Sequence, residues 1–229
     1  MTTQGAIPDN VVYTTLIDGF CKLGNVSAAC RLFDEMRNRK IDPDFVAYTT
    51  LIHGFCQAGK LVEADKLFDE MVTKGLEPDE VTYTALIDGY CKAGEVKKAF
   101  SLHNDMVSVG LAPNIVTYTA LADGLCKQGE VDTANELLQD MRMKGLQLNV
   151  STYNTIVNGL CKLGKIREAE KLMEETKVAR PPPDTFTYTT LMDAYCKTGK
   201  ISNVTTIFRV TLVPGFHHFM PKDKMRLSP

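Results

Sequence analysis

Residues able to do chemistry return in this chain at one interval. Six of the seven cysteines, Cys21, Cys56, Cys91, Cys126, Cys161 and Cys196, stand 35 residues apart. On stacked helices such residues lie about one helix spacing, roughly 10 Å, from one another, which is too far for a disulfide. There is no Cys-x-x-Cys pair for zinc. Small buried residues in a reducing compartment are expected instead. The four histidines do not recur in register. His103 occupies a site held elsewhere by Phe33, Phe68, Leu138 and Met173, so a packed, neutral histidine is expected there. His53 replaces an aspartate on a polar flank. His217 and His218 sit in the last stretch without further ligands. No nucleophile–base pair, metal cluster or phosphate-binding glycine loop stands out. The sequence therefore argues against an enzyme, and no metal or cofactor is implied.

Hydrogen-bonding side chains recur more tellingly. Thr14, Thr49, Thr84, Thr119, Asn154 and Thr189 form one column, and Asp44, Asp79, Asn114, Asn149 and Asp184 form another. Ionised aspartate only accepts hydrogen bonds, whereas asparagine donates and accepts. Each column has an ordinary reading, the first as solvated first-turn residues and the second as turn or helix-capping residues. Their joint recurrence, with variation confined to Thr/Asn and Asp/Asn, lifts the pair above that reading. A third column holds Lys22, Lys92, Lys127, Lys162 and Lys197, with Gln57 as the exception. Lysines there suit either a helix dipole or a phosphate backbone.

The elements that position these residues are copies of one unit, for which residues 80–114 serve as the pattern. The register runs 10–44, 45–79, 80–114, 115–149 and 150–184, with a partial copy at 185–214, a divergent tail expected mobile at 215–229, and the end of a truncated repeat at 1–9. A first helix is expected from the tyrosine of each copy (Tyr13, Tyr48, Tyr83, Tyr118, Tyr153, Tyr188). Tyr83, Leu86, Ile87 and Tyr90 share one side at 100° per residue. Ala85 and Gly89 lie opposite, where small residues permit close packing. Gly24, Gly59, Gly94, Gly129, Gly164 and Gly199 end that helix in left-handed caps. A second helix follows, and a turn such as Gly-Leu-Glu-Pro-Asp (75–79) closes the unit. Lys40 and Arg180 stand where that turn usually has glycine, and Leu148 where it has proline. One hairpin cannot bury its apolar face, so an all-α solenoid of stacked helical hairpins is expected. The composition, 44% hydrophobic and 24% charged with net charge −2, is that of a globular chain without a global basic field. No apolar run is long enough to span a bilayer. The chain reads as beginning inside a repeat, so a fragment or truncated gene is expected and the lack of a visible targeting segment means little.

The period of 35, the absence of tryptophan, and the pieces VTYTALIDGYCKAGEVKKA, VAYTTLIHGFCQAGKLVEA and STYNTIVNGLCKLGKIREA resemble pentatricopeptide repeats of the P type. The plant organellar subgroup with restorer-of-fertility-like proteins is the most similar. The resemblance covers residues 1 to about 208. It implies a right-handed superhelix that binds single-stranded RNA, one base per repeat, in a mitochondrion or chloroplast, with roles in RNA processing, stability, editing or translation. It further implies that Thr14 with Asp44, Thr49 with Asp79, Thr84 with Asn114, Thr119 with Asn149, and Asn154 with Asp184 each read a base. Thr189 lacks a proper partner, since Phe219 stands in the matching place. Val11, Val46, Val81 and Val116 would wedge between bases, with Ser151 and Phe186 at the same place in later copies. The lysine column would touch phosphates.

The base chemistry follows from single-stranded bases exposing their pairing edges. Guanine and uracil carry a ring N–H there and suit aspartate. Adenine and cytosine carry a ring acceptor and suit asparagine. Threonine, being short, leaves room for a purine, whereas asparagine reaches a pyrimidine. The expected core is 5′-GGAAU-3′. A protein- or peptide-binding solenoid and a non-functional fragment of a longer protein remain as alternatives, protein partners stay open, and oligomeric state is not legible.

Overall fold

The structure, a computed structural model, describes residues 8–146, 149–178 and 183–211. Among them every regular element is an α-helix. The chain forms two units, divided between Gln147 and Leu148, and each is taken by itself. The first holds α1 (Asn10–Lys22), α2 (Val26–Asn38), α3 (Phe45–Gln57), α4 (Leu61–Thr73), α5 (Glu80–Ala93), α6 (Val96–Ser108), α7 (Ile115–Gln128) and α8 (Val131–Met143). The second holds α9 (Val150–Lys162), α10 (Ile166–Val178), α11 (Thr185–Lys197) and α12 (Ile201–Thr211). Each repeat is thus a hairpin of an odd and an even helix, and the fold is an all-α solenoid of helical repeats.

The odd helices begin three residues before the tyrosine, not at it. An acid or amide decides the start. Asp9, Asp44 and Asp79 hold extended backbone and accept from the N–H three residues on, each at 2.9 Å. Asn114 does the same towards Val116 and Thr117 at 2.9 and 3.2 Å. Such a cap contributes about 1 kcal/mol, enough to recruit the β-branched residues before the tyrosine into the helix. The glycines expected to end the odd helices all have positive φ, between 70° and 84°. At Gly94 the N–H reaches back to Cys91, and that of Glu95 to Tyr90. After α2 the same left-handed position falls to Lys40, with φ 60°.

Within the first unit α3 packs against α1, α4 and α5, and α5 against α3, α6 and α7. The inner odd helices are therefore enclosed, and Tyr48, Ile52, Leu86 and Ile87 are fully buried. Their close approach rests on the small residues the sequence placed there. A Cβ added at Gly89 would lie 2.9 Å from Cys56 Cβ, and one at Gly124 2.9 Å from Cys91 Sγ. The recurring cysteine is thus the knob that fills the glycine notch of the next odd helix. Burial pushes the Cys56 and Cys91 thiols up to about 12, which keeps them protonated and inert. The described cysteines are free, as expected.

Tyrosines tie the hairpins sideways. Tyr48 donates to Glu70 at 2.7 Å and accepts from Arg37 at 3.0 Å. Tyr118 donates to Asp140 at 2.8 Å and accepts from Lys144 at 2.6 Å. An aromatic from the preceding even helix meets the ring edge-on, Phe33 against Tyr48 at 5.1 Å and His103 against Tyr118 at 5.7 Å. His103 is the packed residue the column demanded. Burial holds its pKa below the ordinary value, and the Lys144 charge adds to this against opposing contributions from Asn104 and Asp140. In the second unit α9 packs on α10 and α11, and α11 on α12. Arg180, Leu148 and the expected mobile tail with His217 and His218 lie outside the described residues.

Candidate nucleic-acid interface

Caps and columns meet at the start of each odd helix. The aspartate or asparagine that closes one repeat is the N-cap of the next, so its side chain has a fixed task and a fixed remainder. Asp79 spends Oδ1 on the Thr82 N–H at 2.9 Å and on the Thr82 hydroxyl at 2.8 Å, so the cap does not use Oδ2. Asn114 spends its oxygen on Val116 N, Thr117 N and the Thr117 hydroxyl, so the cap does not use the amide NH2. The cap therefore turns an ambiguous asparagine into a donor and keeps aspartate an acceptor.

The other column joins these caps unevenly. Thr49 Oγ1 lies 2.7 Å from Thr82 Oγ1, which bonds Asp79. Thr84 Oγ1 lies 2.8 Å from Thr117 Oγ1, which bonds Asn114 Oδ1 at 3.3 Å. A carboxylate or amide oxygen only accepts, so Thr82 and Thr117 donate to the cap and accept the proton of Thr49 or Thr84. Thr49, half-buried, and Thr84, buried, each keep an oxygen lone pair outside this chain of bonds. Asn154 bonds Asp184 directly, from Nδ2 to both carboxylate oxygens at 3.1 and 3.2 Å, and Thr187 bonds both residues. Thr14 instead donates to Asn10 Oδ1 at 3.3 Å, and Asp44 caps Ala47, which has no hydroxyl to bridge them. Thr119 and Asn149 fall in different units. There Thr119 donates to the Ile115 carbonyl at 2.7 Å, and Asn149 accepts from Thr152 N at 2.8 Å and from its hydroxyl at 3.0 Å. Thr189 donates to the Thr185 carbonyl at 2.7 Å.

Burial of the Asp184 carboxyl works to raise its pKa, but the hydrogen bonds from Thr187 and Asn154 outweigh it and hold the group below the usual carboxylate value. The ionised carboxylate, which only accepts, is thereby favoured. Asn154, Asp184, Ser151 and Phe186 line one open pocket of about 410 Å³, room for a base between a reading pair and two wedge positions. The wedge column is solvent-facing, with Val11 71% and Val116 59% exposed and Ser151 exposed as well. Val46, Val81 and Phe186 are exposed too. Single exposed apolar residues are ordinary. Here they recur once per repeat, in the first turn of the odd helices.

The lysines are exposed, and Lys22, Lys92, Lys127 and Lys197 each pair at 2.6 Å with the aspartate four residues earlier, Asp18, Asp88, Asp123 and Asp193. Asn158 stands in that place before Lys162. Where Gln57 replaces lysine, His53 replaces the aspartate, and the two bond each other at 3.2 Å. Exposed pairs of this kind contribute about 0.3–0.5 kcal/mol, so a phosphate can displace the aspartate at little cost.

Sequence reasoning passed over one column that belongs to this site, the residue before each tyrosine. Thr82, Thr117, Thr152 and Thr187 are buried polar side chains. Their recurrence at 35 was visible, and a threonine at a helical position where Val12 and Ala47 also stand was the signal.

Residues 8–57, 43–92, 79–127, 123–162 and 148–197 match a family model described as the PPR repeat family, and residues 186–210 match one described as PPR repeat. The fold is similar to the crystal structure of the pentatricopeptide repeat protein PPR10 in complex with an 18-nt psaJ RNA element, at 27% identity and a TM-score of 0.79 over 89% of this chain and 30% of that one. PPR10 from maize gives 27% identity and a TM-score of 0.75, over 89% of this chain and 29% of that one. The PPR domain of Arabidopsis thaliana protein-only RNase P 1 in complex with tRNA is similar in fold, at 19% identity and a TM-score of 0.66 over 81% of this chain and 97% of that one. The chain thus spans about a third of the length of PPR10. A search of curated proteins gave no match.

Proposed function

The chain belongs to the PPR repeat family, and from that premise we propose that it binds single-stranded RNA and reads about one base per repeat in the order 5′-GGAAU-3′. The carrying observation is the polarity that the caps impose. Oδ2 of Asp79 accepts the guanine N1–H, while the Thr49 oxygen accepts from the adjacent amino group. The amide of Asn114 donates to adenine N1, while the Thr84 oxygen accepts from the 6-amino group. Asp184 accepts the uracil N3–H, and the Asn154 amide donates to a flanking carbonyl. Each pair thereby meets two neighbouring atoms of one pairing edge. The same rules assign guanine to Thr14 with Asp44 and, on the sequence pattern alone, adenine to Thr119 with Asn149. The exposed valines and Phe186 stack against the bases, and the lysine column follows the phosphates. The family resemblance extends the reading to an organellar transcript, in a mitochondrion or chloroplast.

Binding to a randomised RNA pool, then to GGAAU and scrambled oligonucleotides, tests the reading. GGAAU is expected to bind best, with about tenfold lost per wrong base if each misplaced hydrogen-bond partner costs about 1–1.5 kcal/mol, and less at the first base, where Thr14 is not joined to Asp44. Replacing both Asn114→Asp and Asn149→Asp is expected to shift preference to GGGGU. Equal binding of all sequences by the unmodified chain would overturn base reading.

A further inference from the structure

Thr82 and Thr117 are fully buried, carry no apolar advantage over valine, and each spends its hydroxyl on the two residues of the preceding reader. In the second unit Thr187 also touches both residues of its reader, but there its one proton faces two acceptors, Asn154 Oδ1 and Asp184 Oδ1, and Asn154 reaches Asp184 directly through Nδ2. A buried hydroxyl costs free energy unless it is bonded, and here the partners that satisfy it are the reading residues rather than helix carbonyls. The bond also crosses from one repeat to the next, because Thr117 belongs to α7 and Thr84 to α5. It therefore sets two things at once. It fixes the separation of the two reading side chains, and it takes up the proton of the reading threonine, a task that acceptors of the same helix perform for Thr14 and Thr119. Ala47 is the contrast within the same unit. It holds the same buried position, has no hydroxyl, and leaves Thr14 bonded to Asn10 instead of joined to Asp44.

We propose that the buried threonine before the tyrosine, where the following repeat has one, is a third, specificity-positioning residue of the reader, so that repeats followed by Thr82, Thr117 or Thr187 discriminate bases sharply while the repeat followed by Ala47 does not. The inference rests on the base-reading proposal above and goes one step past it. It adds no contact to RNA. It acts by holding the spacing of the pair that makes the contact.

The test compares Thr117→Val, Thr117→Ser and Ala47→Thr with the unmodified chain, using oligonucleotides that vary one base at a time, and follows thermal unfolding alongside. In Thr117→Val the ratio of adenine to guanine affinity at the third base is expected to fall about fivefold, the value of one ordinary net hydrogen bond. Ratios at the second base should hold. Thr117→Ser retains the hydroxyl and is expected to restore the ratio. Ala47→Thr is expected to sharpen guanine preference at the first base by a similar factor, and as a gain it cannot arise from a damaged fold. Unchanged ratios in both Thr117→Val and Ala47→Thr would overturn the positioning role while leaving base reading intact. An unmodified chain without base preference would overturn base reading itself. Should Thr117→Val fail to fold, Ala47→Thr alone decides, and no gain at the first base counts against the proposal.

Discussion

Residues 10–44 and 80–114 are nearly the same 35-residue unit, yet they behave as different objects. In the inner copy Gly89 is seated on Cys56, and Thr84 is buried and linked through Thr117 to Asn114. In the outer copy the matching Gly19 has nothing within 4 Å of an added Cβ, and Thr14 turns to its own helix. The shared sequence fixes hairpin, caps and tyrosine. The rest comes from neighbours, since in a solenoid each unit touches only the units beside it. A side chain's role here is thus set by its position in the row as much as by its type.

The strongest way to break this comparison is at the two glycines. Gly89→Ala puts a methyl group 2.9 Å from Cys56 Cβ, which cannot swing aside, and is expected to destabilise the chain by about 1–3 kcal/mol through overpacking. Gly19→Ala meets open space within a helix and is expected to stabilise by up to about 1 kcal/mol through helix propensity. Thermal unfolding of the pair should move the midpoints in opposite directions. Equal shifts would show that the notch is not what joins the odd helices.

The second contrast sets Phe33 in the outer copy against His103 in the inner one, each edge-on to the next tyrosine. His103 Nε2 is buried without a hydrogen-bond partner. His103→Phe is expected to stabilise by about 1 kcal/mol, the cost of an unmade bond in a part-buried group. The pH dependence has a definite sign. The folded pKa lies below the ordinary 6.5, so the unfolded chain takes the proton first and the native state loses stability as pH falls below about 6.5. Denaturant midpoints at pH 7.5 and 5.5 should differ less in His103→Phe than in the unmodified chain. A smaller effect is expected at the turns that end the two copies. Lys40 holds φ 60° where Gly110 holds φ 84°. Lys40→Gly should relieve left-handed strain and raise stability by about 0.5 kcal/mol, since the gain is partly offset by a freer unfolded chain.

The repeat, the glycine caps and the neutral histidine were legible because each follows from local spacing or column composition. The helix start was misplaced by three residues, because β-branched residues before a tyrosine look like a connection until the cap at Asp44 or Asp79 is given its hydrogen bonds. The function of the cysteine column was half legible. Spacing excluded disulfides, but the notch lies 33 residues away, at Gly54, Gly89 and Gly124, outside a search at 35. The buried threonines were overlooked for a related reason. Their meaning lies in bonds between copies, as Thr49 to Thr82 shows, and a reading that aligns copies compares equivalent residues without asking which unlike ones touch.

Under the base-reading proposal, the reader of one base draws on two successive copies, Thr84 and Asn114 from one and Thr117 from the start of the next. The unit of folding and the proposed unit of recognition are then out of phase. Under the same proposal, unequal recombination between two copies at matching points would splice a whole letter in or out, since the join supplies the following copy's residue. What it cannot preserve is legibility across a join that imports the Ala47 version. Such a crossover would lengthen the word while blurring one of its letters.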